Sequence, residues 1–284
     1  MKKTALVLVM IIGIGNVALW SDSLINQKGA PVQVFFEAEQ GAAAVLYHTI
    51  QIGDGGTTFD YRTQGGQEIL FPFNRFTAGM TIQQRHRVSF LYQPLTVVTN
   101  VRFKDDVTID DVTFDDGTPM EITYGFPFYR VTYGYQLLKD SSADIYIGAA
   151  LQLRNASLVF KQIDGEDKKL TVSQNLGPVP ALYAAAAYTL ESGLVLRAEA
   201  TGLYASSRFI NGADFDFTGS ILDASLRMGY QLKNNVEVFG NIRFLGGSAS
   251  GDSEYERKFW TQSEETFTEN YLATLTLTLG ALIY

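Results

Sequence analysis

The stretch Asp144-Ile145-Tyr146-Ile147-Gly148-Ala149-Ala150-Leu151-Gln152-Leu153-Arg154 decides the fold. Ile145, Ile147, Ala149, Leu151 and Leu153 fall on one parity, and Asp144, Tyr146, Gly148, Ala150, Gln152 and Arg154 on the other. Period two is the signature of a strand with one apolar face, because successive side chains point to opposite sides. The same pattern returns along the chain. Leu194, Leu196, Ala198 and Ala200 oppose Arg197, Glu199 and Thr201. Leu222, Ala224, Leu226, Met228 and Tyr230 oppose Asp223, Ser225, Arg227, Gly229 and Gln231. Val238, Ile242 and Phe244 oppose Glu237, Asn241 and Arg243. Near the end, Leu275, Leu277 and Leu279 alternate with Thr274, Thr276 and Thr278.

Extending this reading predicts strands at about 32–50, 69–82, 87–104, 119–138, 143–161, 178–190, 193–206, 214–232, 235–248 and 268–284. The connections alternate in length. Short turns fall at Gln84-Arg85-His86, Lys139–Ala143, Glu191-Ser192-Gly193 and Lys233-Asn234-Asn235, and long polar loops at 51–68, 105–118, 162–177, 207–213 and 249–267. Short turns at one end and long loops at the other are the asymmetry of outer-membrane barrels, with both termini at the short-turn, periplasmic end. The fold class is therefore all-β, a transmembrane antiparallel up-and-down β-barrel of about ten strands, with eight or twelve as the alternatives.

Alternation by itself also suits a soluble barrel or sandwich. Fixed charges recur on the polar parity of strand after strand, and aromatics gather at strand ends, such as Phe90, Tyr92, Tyr129, Tyr133, Tyr135, Tyr188, Tyr230 and Tyr271. Both features select the membrane. The 284 residues contain no cysteine, which removes disulfides, thiol nucleophiles and Cys-based zinc sites. A net charge of −8 argues against nucleic acid as a partner. Lys2 and Lys3 precede an apolar run from Ala5 to Ile14, as in a secretory leader. Residues 1–23 are read as that signal peptide and 24–284 as the barrel, an uncleaved anchor helix being the alternative.

Arg85-His86-Arg87-Val88-Ser89-Phe90-Leu91-Tyr92-Gln93-Pro94-Leu95 and Phe128-Tyr129-Arg130-Val131-Thr132-Tyr133-Gly134-Tyr135 resemble segments of a porin-like group of Gram-negative outer-membrane barrel proteins. Leu151-Gln152-Leu153-Arg154-Asn155-Ala156 fits the same group. The resemblance implies outer-membrane location, a lipid and lipopolysaccharide environment and dependence on the barrel-assembly machinery. It brings no activity or oligomeric state with it. One departure concerns the usual C-terminal assembly signal. Leu282 is in phase with the terminal Tyr284, whereas Leu275, Leu277 and Leu279 are out of phase. Either a bulge near Ala281 restores the phase, or Tyr284 faces the lumen.

Three features carry candidate chemistry. The first is a set of charges on the inner parity: Glu37, Glu39, Arg75, Arg130, Arg154, Arg197, Glu199, Asp223, Arg227, Glu237 and Arg243. Placing Arg or Lys against lipid costs about 2–4 kcal/mol at midplane, so these side chains are expected inside. There they form a charge network filling the lumen, line a narrow channel for small solutes or hydrophobic compounds, or hold a ligand; Phe128 and Phe239 add to the filling. The second is Asp105, Asp106, Asp110, Asp111, Asp115 and Asp116, three acidic pairs at a loop tip. Their oxygens suit loosely bound Ca²⁺ or Mg²⁺ bridging to lipopolysaccharide phosphate, though not with EF-hand spacing; a solvated acidic loop is the plainer reading. The third is His48, near the outer end of the first strand, with Asp54 and Asp60 after it. Outer-membrane enzymes of similar architecture, such as omptin proteases, use a rim His with an acid or Ser, but none of their motifs surrounds His48. No phosphate-cradling glycine loop or zinc spacing is present, so no organic cofactor is expected and catalysis is the lesser reading.

Overall fold

The fold is described from a computed structural model, for residues 31–140, 142–165, 168–206, 216–232, 235–253 and 266–284. The leader region 1–23, loop 207–213 and most of loop 249–267 lie outside the described residues, as do the side chain of Arg154 and residues 233–234. The chain forms β1 (Val32–Ile52), β2 (Phe59–Asp60), β3 (Leu70–Ile82), β4 (His86–Gln93), β5 (Thr96–Arg102), β6 (Val107–Ile109), β7 (Val112–Phe114), β8 (Pro119–Gly125), β9 (Phe128–Lys139), β10 (Ala143–Gln162), β11 (Leu170–Thr189), β12 (Leu194–Ser206), β13 (Asp216–Gln231), β14 (Val236–Ser253) and β15 (Thr266–Ile283).

Every neighbouring pair is antiparallel. β1 pairs with β3 on one side and with β15 on the other, and β10 pairs with β11, so the sheet closes on itself. Counting β4 with β5 and β8 with β9 as broken strands, the wall is a closed ten-stranded barrel. Below the β4–β5 break, closure leaves none of the unpaired edges that hydrocarbon does not tolerate. The two breaks coincide with Pro94 and Pro127, which lack the N–H that a ladder needs.

The expected parity decides inside from outside. Ile147, Leu151, Leu182, Leu226, Met228, Leu277 and Leu279 are exposed on the outer wall, whereas Gln152, Asp223, Arg227, Thr276 and Thr278 are buried within. Tyr133, Tyr188 and Tyr230 project outward towards the short-turn end, and Tyr47, Tyr204 and Tyr271 towards the other. They bracket an apolar band on a transmembrane barrel of the outer-membrane type. Tyr284 lies inside: β15 keeps register with both β1 and β14 through Ala281, so no bulge restores the phase, and Leu282 is buried.

Several boundaries differ from the sequence reading. β11 begins at Leu170 rather than 178, and β14 runs on to Ser253. These extensions rise above the apolar band, where both faces of a strand meet water or loop and the parity signal disappears. The loop around 105–118 contains the β6–β7 hairpin, and loop 51–68 contributes β2, which pairs with β1.

Above the break the wall is incomplete. β4 pairs with Phe76–Ile82 of β3, but Leu70–Arg75 pair with β1 alone, and β5 pairs with β8. Pro72 sits on this bare edge.

Candidate functional site

The lumen is filled at two levels. In the membrane-spanning part, charged side chains from β1, β3, β9, β12, β13 and β14 meet. Arg227 grips Glu37 with two hydrogen bonds of 2.6 and 2.7 Å and stacks 3.6 Å over the Phe239 ring. Glu39 accepts from Asn241 and Thr278, both at 2.8 Å, and lies 3.4 Å from Arg243 and 3.5 Å from Arg227. Asp223 gathers three guanidinium groups: Arg243 at 2.6 Å, Arg130 at 2.8 Å and Arg75 at 3.2 Å. Arg75 extends the chain to Gln93 at 3.1 Å and to Glu199 at 4.0 Å. Nearer the periplasmic end, Arg197 lies 3.8 Å from Glu237, and the Tyr284 hydroxyl donates to Glu237 at 3.3 Å. Both signs are thus brought together across the interior, where a lone charge would be strongly disfavoured and a pair with further hydrogen bonds is tolerated.

Ten of the eleven charges singled out in the sequence take part: eight in one mesh, and Arg197 with Glu237 beside it. Arg154 cannot be placed with them, because its side chain lies outside the described residues. Asn241, Thr278 and Gln93 are not singled out by the sequence, whereas the lumen is one of the two placements it leaves for Tyr284. The parity of the first three was visible, but uncharged residues on a polar face give no reason to be singled out.

The second level was not anticipated. Loops 53–69 and 103–118 fold inward over the outer mouth. The Thr57 N–H donates to the Thr108 carbonyl at 2.8 Å, and the Asp110 N–H donates to the Ile52 carbonyl at 2.9 Å. Phe59, Tyr61, Phe103, Phe114, Met120, Ile122, Tyr124 and Phe160 form a buried aromatic cap with Phe71 and Phe73 of β3. Phe59 packs edge-on to Tyr61, Phe103 and Phe160 at 5.2–5.7 Å. Burial pushes the Tyr61 phenol well above its ordinary pKa. Large apolar residues at 59, 61, 103 and 114, within otherwise polar loops, were the available signal.

His48 belongs to this cap. It is 1% exposed, stacks on Tyr61 at 4.1 Å, and its Nδ1–H donates to Gln67 Oε1 at 2.7 Å. Asp60 instead caps a turn, its Oδ1 accepting from the N–H groups of Arg62 and Thr63. The suggested His–Asp pair at an open rim is therefore not formed; Gln67 takes the place of the acid.

The six aspartates are spread around the β6–β7 hairpin. Asp106 accepts the Asp116 N–H at 2.8 Å, Asp115 lies 3.5 Å from Lys169, and Asp110 takes a left-handed turn conformation. Among the described residues no three acidic or His side chains converge as a metal site.

Below the charge mesh the lumen holds a chamber of about 220 Å³ whose lining reaches from Arg75 and Arg130 to Gln84 in a short turn. Its lining includes Arg87, Ser89, Thr132, Tyr146, Tyr183, Arg197 and Glu199.

Closed wall, lipid-facing apolar band and charge-filled interior together define an integral outer-membrane β-barrel. No family model matches the sequence, and no curated protein matches it either. Among solved structures, the outer-membrane protease OmpT of Escherichia coli is similar, at 10% identity over 91% of this chain and 98% of that one, with a TM-score of 0.49. The outer-membrane protein OprG of Pseudomonas aeruginosa shares 12% identity over 88% and 96% of the two chains, with a TM-score of 0.30. The Pseudomonas putida toluene transporter TodX shares 8% over 87% and 89%, also with a TM-score of 0.30. At such scores these likenesses carry no argument about activity.

Proposed function

We propose that this is a non-conducting outer-membrane barrel whose extracellular face, and not its lumen, is the working surface. The observation that carries the reading is the double obstruction: a charge-paired mesh around Asp223 and, above it, the aromatic cap. Small barrels generally fill their interiors with side chains, and here both levels are tied down by hydrogen bonds. The cap presents the acidic β6–β7 hairpin outward. Its partner is a surface component able to meet an acidic hairpin, such as lipopolysaccharide phosphate with loosely held divalent ions between, and delivery to the membrane depends on the barrel-assembly machinery. Single-channel recording of the refolded protein in a planar bilayer tests the reading. A silent bilayer, with folding verified by heat-modifiable gel migration, is expected; discrete reproducible conductance steps overturn it.

One observation favours a second reading. The bare edge Leu70–Arg75 stands where β5 has turned away, and Phe71 and Phe73 behind it join the aromatic cap. Such a break gives small apolar compounds a lateral route between bilayer and cap. Saturable calorimetric binding of a hydrocarbon of toluene's size, lost when the cap is deleted, would select this reading over a purely structural barrel.

A further inference from the structure

We infer that the periplasm-facing chamber is a binding site for a small organic carboxylate, with Arg87 as its charged anchor.

The chamber occupies the half of the lumen that the mesh leaves free. Arg75 and Arg130, both held by Asp223, stand at its inner end, and its walls come from β1, β3, β4, β9, β10, β11 and β12. At about 220 Å³ it has the volume of about seven waters of liquid, at about 30 Å³ each, which is room for a small organic anion.

The donors around it are the reason for choosing an anion. Elsewhere in the lumen every arginine has a carboxylate within 4 Å, apart from Arg154, which is not described. Arg87 differs: its guanidinium lies 4.0 Å over the Phe35 ring and makes no ion pair or side-chain hydrogen bond among the described residues. Contact with a ring face does not use the hydrogen-bonding capacity of the guanidinium's planar fork of N–H groups. That fork matches a carboxylate with two parallel bonds. Tyr146 and Tyr183 line the same chamber, within electrostatic reach of both Arg87 and Arg197. Neither phenol hydroxyl has a hydrogen-bond partner among the described side chains, and the hydroxyls of Ser89 and Thr132 face the same space. Acidic groups are present too. Glu37 lies within electrostatic reach of Arg87 but is gripped by two hydrogen bonds from Arg227, Glu199 is directed to Arg75 at 4.0 Å, and Asp144 accepts a hydrogen bond from Gln136, so each has a closer partner than Arg87. The free capacity of the chamber is therefore donor capacity, and aromatic faces flank it. A compact carboxylate with an apolar body satisfies both.

The test uses the mature chain, refolded in detergent and verified by heat-modifiable migration. Sodium benzoate is titrated calorimetrically at constant ionic strength, with benzyl alcohol as the uncharged comparison. Saturable one-site binding of benzoate is expected, with benzyl alcohol at least tenfold weaker. Arg87→Gln is expected to weaken benzoate at least tenfold, and Tyr183→Phe severalfold. Absence of saturable benzoate binding, equal binding of benzyl alcohol, or benzoate affinity unchanged in Arg87→Gln each overturns the proposal. Should Arg87→Gln fail to fold, Tyr183→Phe and the uncharged comparison decide: unchanged affinity in the first, or parity in the second, is the overturning result. The site and the conductance reading fail independently, because a silent barrel can bind nothing and a conducting one can still bind benzoate.

Discussion

Replacing Asp223 by Asn tests the energetic account of the interior. The carboxylate is 1% exposed and holds Arg243, Arg130 and Arg75 within 3.2 Å. The three do not depend on it equally. Arg243 keeps Glu39 at 3.4 Å, and Arg75 keeps Glu39 at 3.8 Å and Glu199 at 4.0 Å. Among the described residues Arg130 has no second carboxylate within 4 Å; its remaining contacts are Gln152 at 3.5 Å and the Phe128 ring at 4.8 Å. Asp223→Asn therefore leaves one buried guanidinium without an ion-pair partner and two others weakened. Removing one partner of a buried pair costs about 3–5 kcal/mol, chiefly for the charge left behind. The loss is assayed by urea unfolding in a defined lipid or detergent, following the folded band on unheated gels. Because the penalty is assigned mainly to Arg130, adding Arg130→Met to Asp223→Asn is expected to recover at least about 2 kcal/mol of it. A loss below about 1 kcal/mol for Asp223→Asn would refute the reasoning. It would mean that water reaches these charges and solvates them, and the mesh would then be no barrier.

Gly280 lies under the Phe239 ring, where a Cβ would meet ring carbons at 2.4 and 2.5 Å; Gly280→Ala is expected to destabilise by about 1–3 kcal/mol in the same unfolding assay, as overpacking does. His48→Ala removes the plate against Tyr61 and the bond to Gln67. Faster proteolytic nicking at Arg62 is expected, with a loss of about 2 kcal/mol local to the cap and the barrel itself intact by gel migration. Deleting residues 105–116 takes Val107, Ile109 and Phe114 out of the aromatic cap, yet conductance is expected to stay silent, since the mesh around Asp223 remains; steps appearing in this variant would place the barrier in the cap alone.

How much of this could be read from the chain depended on where a residue sits relative to the bilayer. Within the apolar band a one-residue slip would turn charges into lipid, so parity is tightly enforced, and Arg130, Arg227 and Arg243 were identifiable one at a time. Their partners were not. Which guanidinium meets which carboxylate depends on barrel stagger, and Arg227 with Glu37 spans 190 positions. Above the band the enforcing solvent contrast is gone, so β11 was read eight residues short and β2, β6 and β7 were read as loop. The placement of His48 differs from its sequence expectation for a related reason. Its strand position suggested a rim, but the inward fold of loops carrying Phe59 and Phe103 buried that rim.

The span of these contacts bears on how the protein enters a membrane. Glu39 on β1 is hydrogen-bonded to Thr278, 239 positions later, so the mesh cannot exist while the first and last strands are apart. A half-inserted sheet would hold Arg75, Arg130, Arg227 and Arg243 against acyl chains, at about 2–4 kcal/mol for each one near the midplane. Stepwise threading of strands into lipid is therefore steeply uphill until its last event. The sheet must curl with its polar side sheltered and join its two ends before, or as, it crosses. High contact order makes that search slow, and insertion becomes an all-or-none step whose late barrier is the meeting of β1 with β15.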